Sequence, residues 1–165
     1  MGMSFGKRVY ELLNKQISEE FGSSFLYMAM SAVLKDMGLD GCASWMMLQS
    51  KEKYQHAMKI LEHIQERNAK VKLLPIAAPG QAWRAPLHIF EEMLRHEQKV
   101  STLIDSIYEL SVSEKDYVTQ NFISCFVKEQ SEKEAAVSNL LNRLRKMQST
   151  DLGVIMFDTE LARRQ

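Results

Sequence analysis

The stretch Gln49-Ser50-Lys51-Glu52-Lys53-Tyr54-Gln55-His56 lies in the middle of a long run of helical periodicity. Trp45 and Met46 before it, and Ile60 and Ile64 after it, are apolar at helical spacing. Carried through, that stripe puts Gln49, Glu52 or Lys53, and His56 on or beside the buried face. Polar groups in the middle of a core-facing stripe are costly unless they are paired or bind a metal. Three other helical segments show the same interruption, so four helices aim polar side chains at one interior point.

Upstream, a first helix is expected over roughly residues 4–36, with Ser4 as its cap. Its face reads Val9, Leu13, Ile17, Glu20, Ser24, Tyr27, Met28, Ser31 and Leu34, which centres Glu20. Taken alone, a glutamate there would be read as reaching water from the edge of the stripe. Gly38 and Gly41 mark a short turn, and the second helix returns antiparallel over about 41–68. A long connection follows, with Pro75, Pro79, Gly80 and Pro86. A helix of about 28 residues is roughly 42 Å long. A loop of about 17 residues spans at most roughly 56 Å, so it can run the length of the bundle and start the next helix parallel to the last. Leu73, Leu74, Ile76 and Trp83 are its expected apolar anchors.

The third helix is expected over about 86–111, with Phe90, Met93, Leu94, Glu97, Val100, Ile104, Ile107 and Tyr108 inward, and Pro86 suited to its first turn. Glu97 again stands alone in mid-stripe. Ser113, with Glu114 and Asp116, opens the fourth helix, whose inner face is Phe122, Phe126, Glu129, Gln130, Lys133, Val137, Leu140, Leu141 and Leu144. After a break at 148–151, a short segment carries Val154, Ile155, Met156, Phe157 and Leu161. It is too short to be stable alone and too apolar to face water, so it folds onto its own bundle or packs against copies of itself.

Composition narrows the function. The chain has 165 residues, enough for a sizeable core, and its 21 basic and 21 acidic side chains balance. That balance argues against a nucleic-acid binder driven by phosphate neutralisation. No apolar run approaches a membrane span and no signal-peptide core is visible. Cys42 and Cys125 read as reduced core thiols, and the cytoplasm is the expected location. The 11 methionines form no tract and read as core filling.

Four long helices with short, long and short connections, plus a fifth short helix, predict an all-α fold. The expected division is a four-helix bundle over 1–147, followed by a turn and C-terminal helix over 148–165. Ferritin-like folds share this topology, and their site takes one Glu from each of two helices and Glu-x-x-His from each of the other two. Glu20 and Glu97 are the single glutamates here.

The sequence resembles the bacterial non-haem ferritins over nearly its whole length. The resemblance is carried by Leu13-Asn14-Lys15-Gln16 with Glu20 and Ser23 to Tyr27, by Gly41 to Trp45, and by Gln49-Ser50 with Glu52 and His56-Ala57. Arg95 to Gln98, Asn121-Phe122 with Glu129-Gln130, and Phe157 to Leu161 continue it. It implies a ferritin-like four-helix bundle, a homo-oligomeric shell of 24 subunits whose short last helix lines the fourfold axes, Fe(II) oxidation at a di-iron ferroxidase centre, and storage of ferric mineral. The implied metal ligands are Glu20, His56, Glu97 and Gln130, with glutamates at positions 53 and 133. Glu52, Glu129 and Glu132 match a third iron position, or else form a hydrated acidic patch.

This sequence departs from the family at its centre, where Lys53 and Lys133 stand in the two glutamate positions. An ammonium has donors only and repels a cation, whereas carboxylate oxygens suit iron. Glu20 and Glu97 are balanced by the two lysines, so the expectation is an internal ion-pair cluster in place of iron, with both lysines paired to Glu20 or Glu97. On that reading either lysine alone suffices to block the metal. Tyr27 is the accessory residue the family offers, and no catalytic residue is assigned. Tyr54 stands where a haem-binding relative would carry methionine, so no haem is expected. His63, His88 and His96 read as surface histidines.

The reading that follows is an iron-storage subunit with weak or absent ferroxidase activity, co-assembling with an active paralogue if one exists. A second reading is a working ferroxidase using dioxygen or peroxide through a rearranged set of Glu20, Glu52, His56, Glu97, Glu129 and Gln130. A third is a structural bundle with no role for iron.

Overall fold

The computed structural model describes residues 5–164. They form five α-helices: α1 (Lys7–Asp36), α2 (Asp40–Glu66), α3 (Pro86–Ser113), α4 (Tyr117–Met147) and α5 (Asp151–Arg163). α1 packs along α2 and α3 along α4, α1 also meets α3, and α5 folds back onto α2 and α4. This is the expected all-α bundle with one long crossover and a short fifth helix. The expected cap Ser4 lies outside the described residues.

Three helices end by one device. Gly38 (φ 75°), Asn68 (φ 56°) and Lys115 (φ 56°) take left-handed conformations just past α1, α2 and α3. The next N–H then returns to a carbonyl five residues back, Leu39 to Leu34, Ala69 to Ile64 and Asp116 to Ser111. Each return satisfies a carbonyl that the helix end leaves open. The Asp116 side chain then caps α4 by accepting from the Thr119 N–H at 3.1 Å. The fourth helix therefore starts later than expected, and the Ser113 hydroxyl donates to the Leu110 carbonyl at the end of α3.

The crossover climbs α1 in step with it. The Tyr10 hydroxyl donates to the Lys70 carbonyl, the Asn14 carbonyl oxygen accepts from the Lys72 N–H, the Ser18 hydroxyl reaches the Leu74 carbonyl, and Gly22 faces Ile76. Two residues of extended chain advance about 6.6 Å and four residues of helix about 6 Å, so alternate loop residues meet successive turns. Polar side chains of α1 gripping the loop backbone thus supply the anchoring expected of Leu73 and Leu74, which are exposed, while Ile76 and Trp83 are half-buried.

Gly41 does not belong to the turn. It lies in the first turn of α2, where α5 crosses so closely that an added Cβ would stand 2.1 Å from the Asp158 carbonyl oxygen. The Asp158 carboxylate accepts the Cys42 N–H at 2.8 Å, so a side chain of α5 caps α2. Burial and the nearby Asp158 push the Cys42 thiol well above its usual pKa. Phe157 and Leu161 bury against the bundle, whereas Leu152, Ile155 and Met156 stay exposed. Met28, expected inward, is exposed on the outside of α1, and Cys125 is an exposed thiol rather than a core one.

Among the described residues the core is two apolar clusters. One gathers Met30, Leu34, Trp45, Met46, Phe90, Leu144 and Phe157 near α5. The other gathers Val9, Leu13, Ile60, Ile64, Ile104, Ile107 and Phe126 at the far end. Between them lies a layer of buried polar side chains: Glu20, Lys53, His56, Glu97 and Gln130.

Losing the α2 cap through Asp158→Ala should lower stability by about 1 kcal/mol. Gly41→Ala should cost more, because backbone rather than a movable side chain blocks the methyl. Denaturant unfolding of both variants checks the order.

Candidate functional site

Each of the four long helices delivers polar side chains to the middle layer from within an apolar stripe, so they meet away from water. Lys53 is 1 % exposed and Glu97 fully buried. The Lys53 Nζ donates to Glu97 Oε2 at 2.9 Å and to Gln130 Oε1 at 3.1 Å, and Glu20 Oε2 lies 4.0 Å away. Gln130 closes the triangle, its Nε2 donating to Glu97 Oε2 at 3.0 Å. The Tyr27 hydroxyl donates to the other Glu97 oxygen at 2.5 Å. Burial works hardest against the Lys53 charge, but the carboxylates of Glu20 and Glu97 together outweigh it and hold the ammonium above its usual pKa. Burial likewise pushes the Glu97 carboxyl up, and the Lys53 charge with three hydrogen bonds brings it below its usual range. Both partners are therefore charged at neutral pH. Tyr27, raised well above its normal value by burial and by Glu97, keeps its proton and donates it.

Glu20 is as buried as Lys53, so it does not reach water at the edge of its stripe. Its Oε1 accepts from Gln16 Nε2 at 2.9 Å. Gln16 entered the sequence reading only as part of the resemblance and not as a site residue, although its i−4 spacing from Glu20 on the same helix face was the signal for it. The His56 Nε2 lies 2.9 Å from Glu129 Oε2. A carboxylate only accepts, so Nε2 carries the proton, and in the neutral ring Nδ1 offers a lone pair. That Nδ1 lies 3.8 Å from Glu20 Oε2, and both atoms are buried without a hydrogen-bond partner.

Lys133 departs from expectation. It pairs with neither Glu20 nor Glu97. Its Nζ donates to Glu52 Oε2 at 2.8 Å and to Gln49 Oε1, at the partly exposed rim of the layer. The reason is competition: Lys53 and Gln130 already fill the buried Glu97 oxygen, and a second ammonium there would be repelled. Glu52 and Glu129 are half-buried at the same rim, and Glu132 is exposed.

The donor set does not fit a di-iron centre. Two of its expected carboxylates are ammonium groups, Gln130 is spent on Lys53 and Glu97, and no three His, Cys, Asp or Glu side chains of the described residues converge as a metal would require.

Two other histidines are not the surface residues expected. His96 is half-buried, bonds Ser23 Oγ at 2.7 Å and has its pKa lowered by burial. His63 is buried, stacked 4.0 Å from Phe122. The Thr119 hydroxyl spends its proton on Asp116, so it accepts from Arg67 and from His63 Nε2–H. Burial first, then the charge of Arg67, lowers the His63 pKa to about 4. His88 is exposed, as expected.

A family profile described as the ferritin-like domain matches residues 10–147. The chain belongs to the ferritin family. It is 34 % identical over 158 residues to a bacterial non-heme ferritin of Bacteroides fragilis strain 638R, covering 96 % of this chain and 98 % of that one. A bacterial non-heme ferritin of Campylobacter jejuni is 30 % identical over 152 residues, covering 92 % and 91 %. Among solved structures, an open pore ferritin from the archaeon Archaeoglobus fulgidus superimposes with a TM-score of 0.96 at 35 % identity, covering 99 % of this chain and 100 % of that one. Within this ferritin no helix of the described residues is long and apolar enough to cross a membrane.

Two measurements test the electrostatics. Lys53→Met leaves Glu97 buried and uncompensated and should cost about 3–5 kcal/mol, whereas adding Glu97→Gln to it should recover most of that loss. Unfolding of the singles and the double gives the coupling. For His63, the folded pKa lies below the ordinary value of about 6.5, so the unfolded chain takes the proton first. The stabilising contribution is complete above about pH 6.5 and falls as pH drops toward 4, by at most about 3 kcal/mol. Stability measured across that window should slope downward with acid, and His63→Gln should flatten the slope.

Proposed function

We propose that this ferritin is an iron-storage subunit of a hollow homo-oligomeric shell, of 24 copies on the family pattern, holding ferric mineral as cargo, with its ferroxidase centre silenced. The observation that carries this is the Lys53 ammonium, bonded to Glu97 and Gln130 where the family would place a metal-binding carboxylate. Glu52, Glu129 and Lys133 at the rim leave two carboxylates against one ammonium, a surface that tolerates cations without holding two of them close together. Fe(II) entering such a shell is oxidised elsewhere, on an active paralogous subunit or directly by dioxygen, and mineralises inside. The cytoplasm, where free thiols such as Cys42 and Cys125 persist, is the location this reading takes.

Assembly is supported by apolar side chains that a lone protomer would leave in water. Leu152, Ile155 and Met156 on α5, and Phe25, Met28 and Leu73 along α1 and the crossover, are all exposed. A second reading, the working ferroxidase with a rearranged ligand set, draws on the unpartnered Glu20 Oε2 and His56 Nδ1.

Stopped-flow absorbance after mixing the purified oligomer with Fe(II) in air separates the two readings. Silencing predicts oxidation little faster than buffer alone, followed by mineral in the cavity visible by electron microscopy. A fast transient within the first turnovers would favour the working ferroxidase. A monodisperse monomer by light scattering would sink the shell.

A further inference from the structure

We infer that the two lysines are not equivalent: Lys53 alone stands in for a metal ion, and Lys133 is a strut that holds the seam between α2 and α4. The inference rests on the silenced-centre reading and divides that silencing between residues.

The geometry at Lys53 is that of a bound cation. Its ammonium is buried, donates to Glu97 and Gln130, and lies 4.0 Å from Glu20 Oε2. Beside it, Glu20 Oε2 and His56 Nδ1 face each other across 3.8 Å, both buried and without a hydrogen-bond partner. Gln16 fixes the Glu20 carboxylate from one side, and Glu129 orients the imidazole so that Nδ1 points inward. A nitrogen and an oxygen held in this way by outer partners are half of a divalent-cation site. The missing half is an anionic oxygen at position 53, and the obstacle is the positive charge already there.

Lys133 has a different set of partners. Both of its bonds go to α2, to Glu52 and Gln49, at the partly exposed rim, and none goes to Glu20, Glu97 or His56. It forms one rung of a series along the α2–α4 seam that continues with Lys53–Gln130, His56–Glu129, His63–Thr119 and Arg67–Asp116. Taking away its charge removes a rung and leaves the interior ammonium in place.

The test uses the assembled protein with cobalt(II), whose visible ligand-field absorption reports nitrogen and oxygen ligation without redox chemistry, and with zinc(II) for thermal unfolding. Lys53→Glu should bind cobalt(II) at least about tenfold more tightly than the parent, and adding His56→Phe should abolish the gain. Zinc(II) should raise its unfolding temperature through binding to the folded state. Lys133→Gln should bind cobalt(II) as the parent does while unfolding at a lower temperature without metal. The inference is overturned if Lys133→Gln gains as much as a Lys53 variant, or if Lys53→Glu gains nothing until Lys133 is also replaced. Should Lys53→Glu fail to assemble, the comparison passes to Lys53→Gln, whose cobalt(II) affinity must exceed that of Lys133→Gln; equality overturns the inference. A parent that mineralises iron while no Lys53 variant binds cobalt(II) leaves the storage reading standing and removes this one. Rapid Fe(II) oxidation by the parent removes the storage reading's silenced centre directly.

Discussion

A lysine ammonium and a glutamate carboxylate meet 2.9 Å apart in the middle of a helical bundle, and much of the surrounding structure serves to make that contact tolerable. Taking two charges out of water costs several kcal/mol each, and their attraction repays it only when the remaining donors and acceptors are satisfied. Tyr27 and Gln130 donate to the Glu97 carboxylate, and Ser101 accepts in turn from Gln130. The apolar clusters on either side shut water out, which strengthens the pair and would make either partner alone expensive. The polar layer therefore behaves as a unit, and Glu20 with His56 is the part of it that the lysine does not complete.

The layer also explains how α2 and α4 stay together. Long polar side chains bridge this seam from Gln49 and Glu52 at one end to Arg67 at the other, while the apolar clusters close the bundle around it. A metal in this position would tie helices together through shared ligands. Here hydrogen bonds and ion pairs between side chains tie them. The subunit keeps the shape of its relatives around this layer, with a superposition that extends over 99 % of the chain.

The fold was legible because its signals are local and repeated. Apolar stripes at helical spacing marked the four long helices, a short apolar segment marked the fifth, and the three prolines with Gly80 marked the crossover. Boundaries were less legible where a side chain elsewhere decides them. Asp116 rather than Ser113 caps α4, and Lys115 takes a left-handed conformation that no propensity would assign to it. Gly41 looked like a turn residue and proved to be the place where α5 needs room. The candidate site was legible as a constellation, since Glu20, Lys53, His56, Glu97 and Gln130 all fall in mid-stripe. Its partners were not, because a stripe gives a direction and not a distance.

The sequence by itself determined which residues reach the middle layer and what charges they bring, since side-chain type and helical phase are both properties of the linear chain. It could not decide which charge meets which. By helical phase alone Lys53 and Lys133 both point toward the same interior. Only the packed bundle separates them, because one buried carboxylate oxygen can accept from one ammonium without crowding by another. Lys53 holds that place, and Lys133 turns to the rim, where Glu52 and Gln49 accept it. The same packing left Glu20 Oε2 facing His56 Nδ1, a relation between two helices that no single stretch of sequence contains.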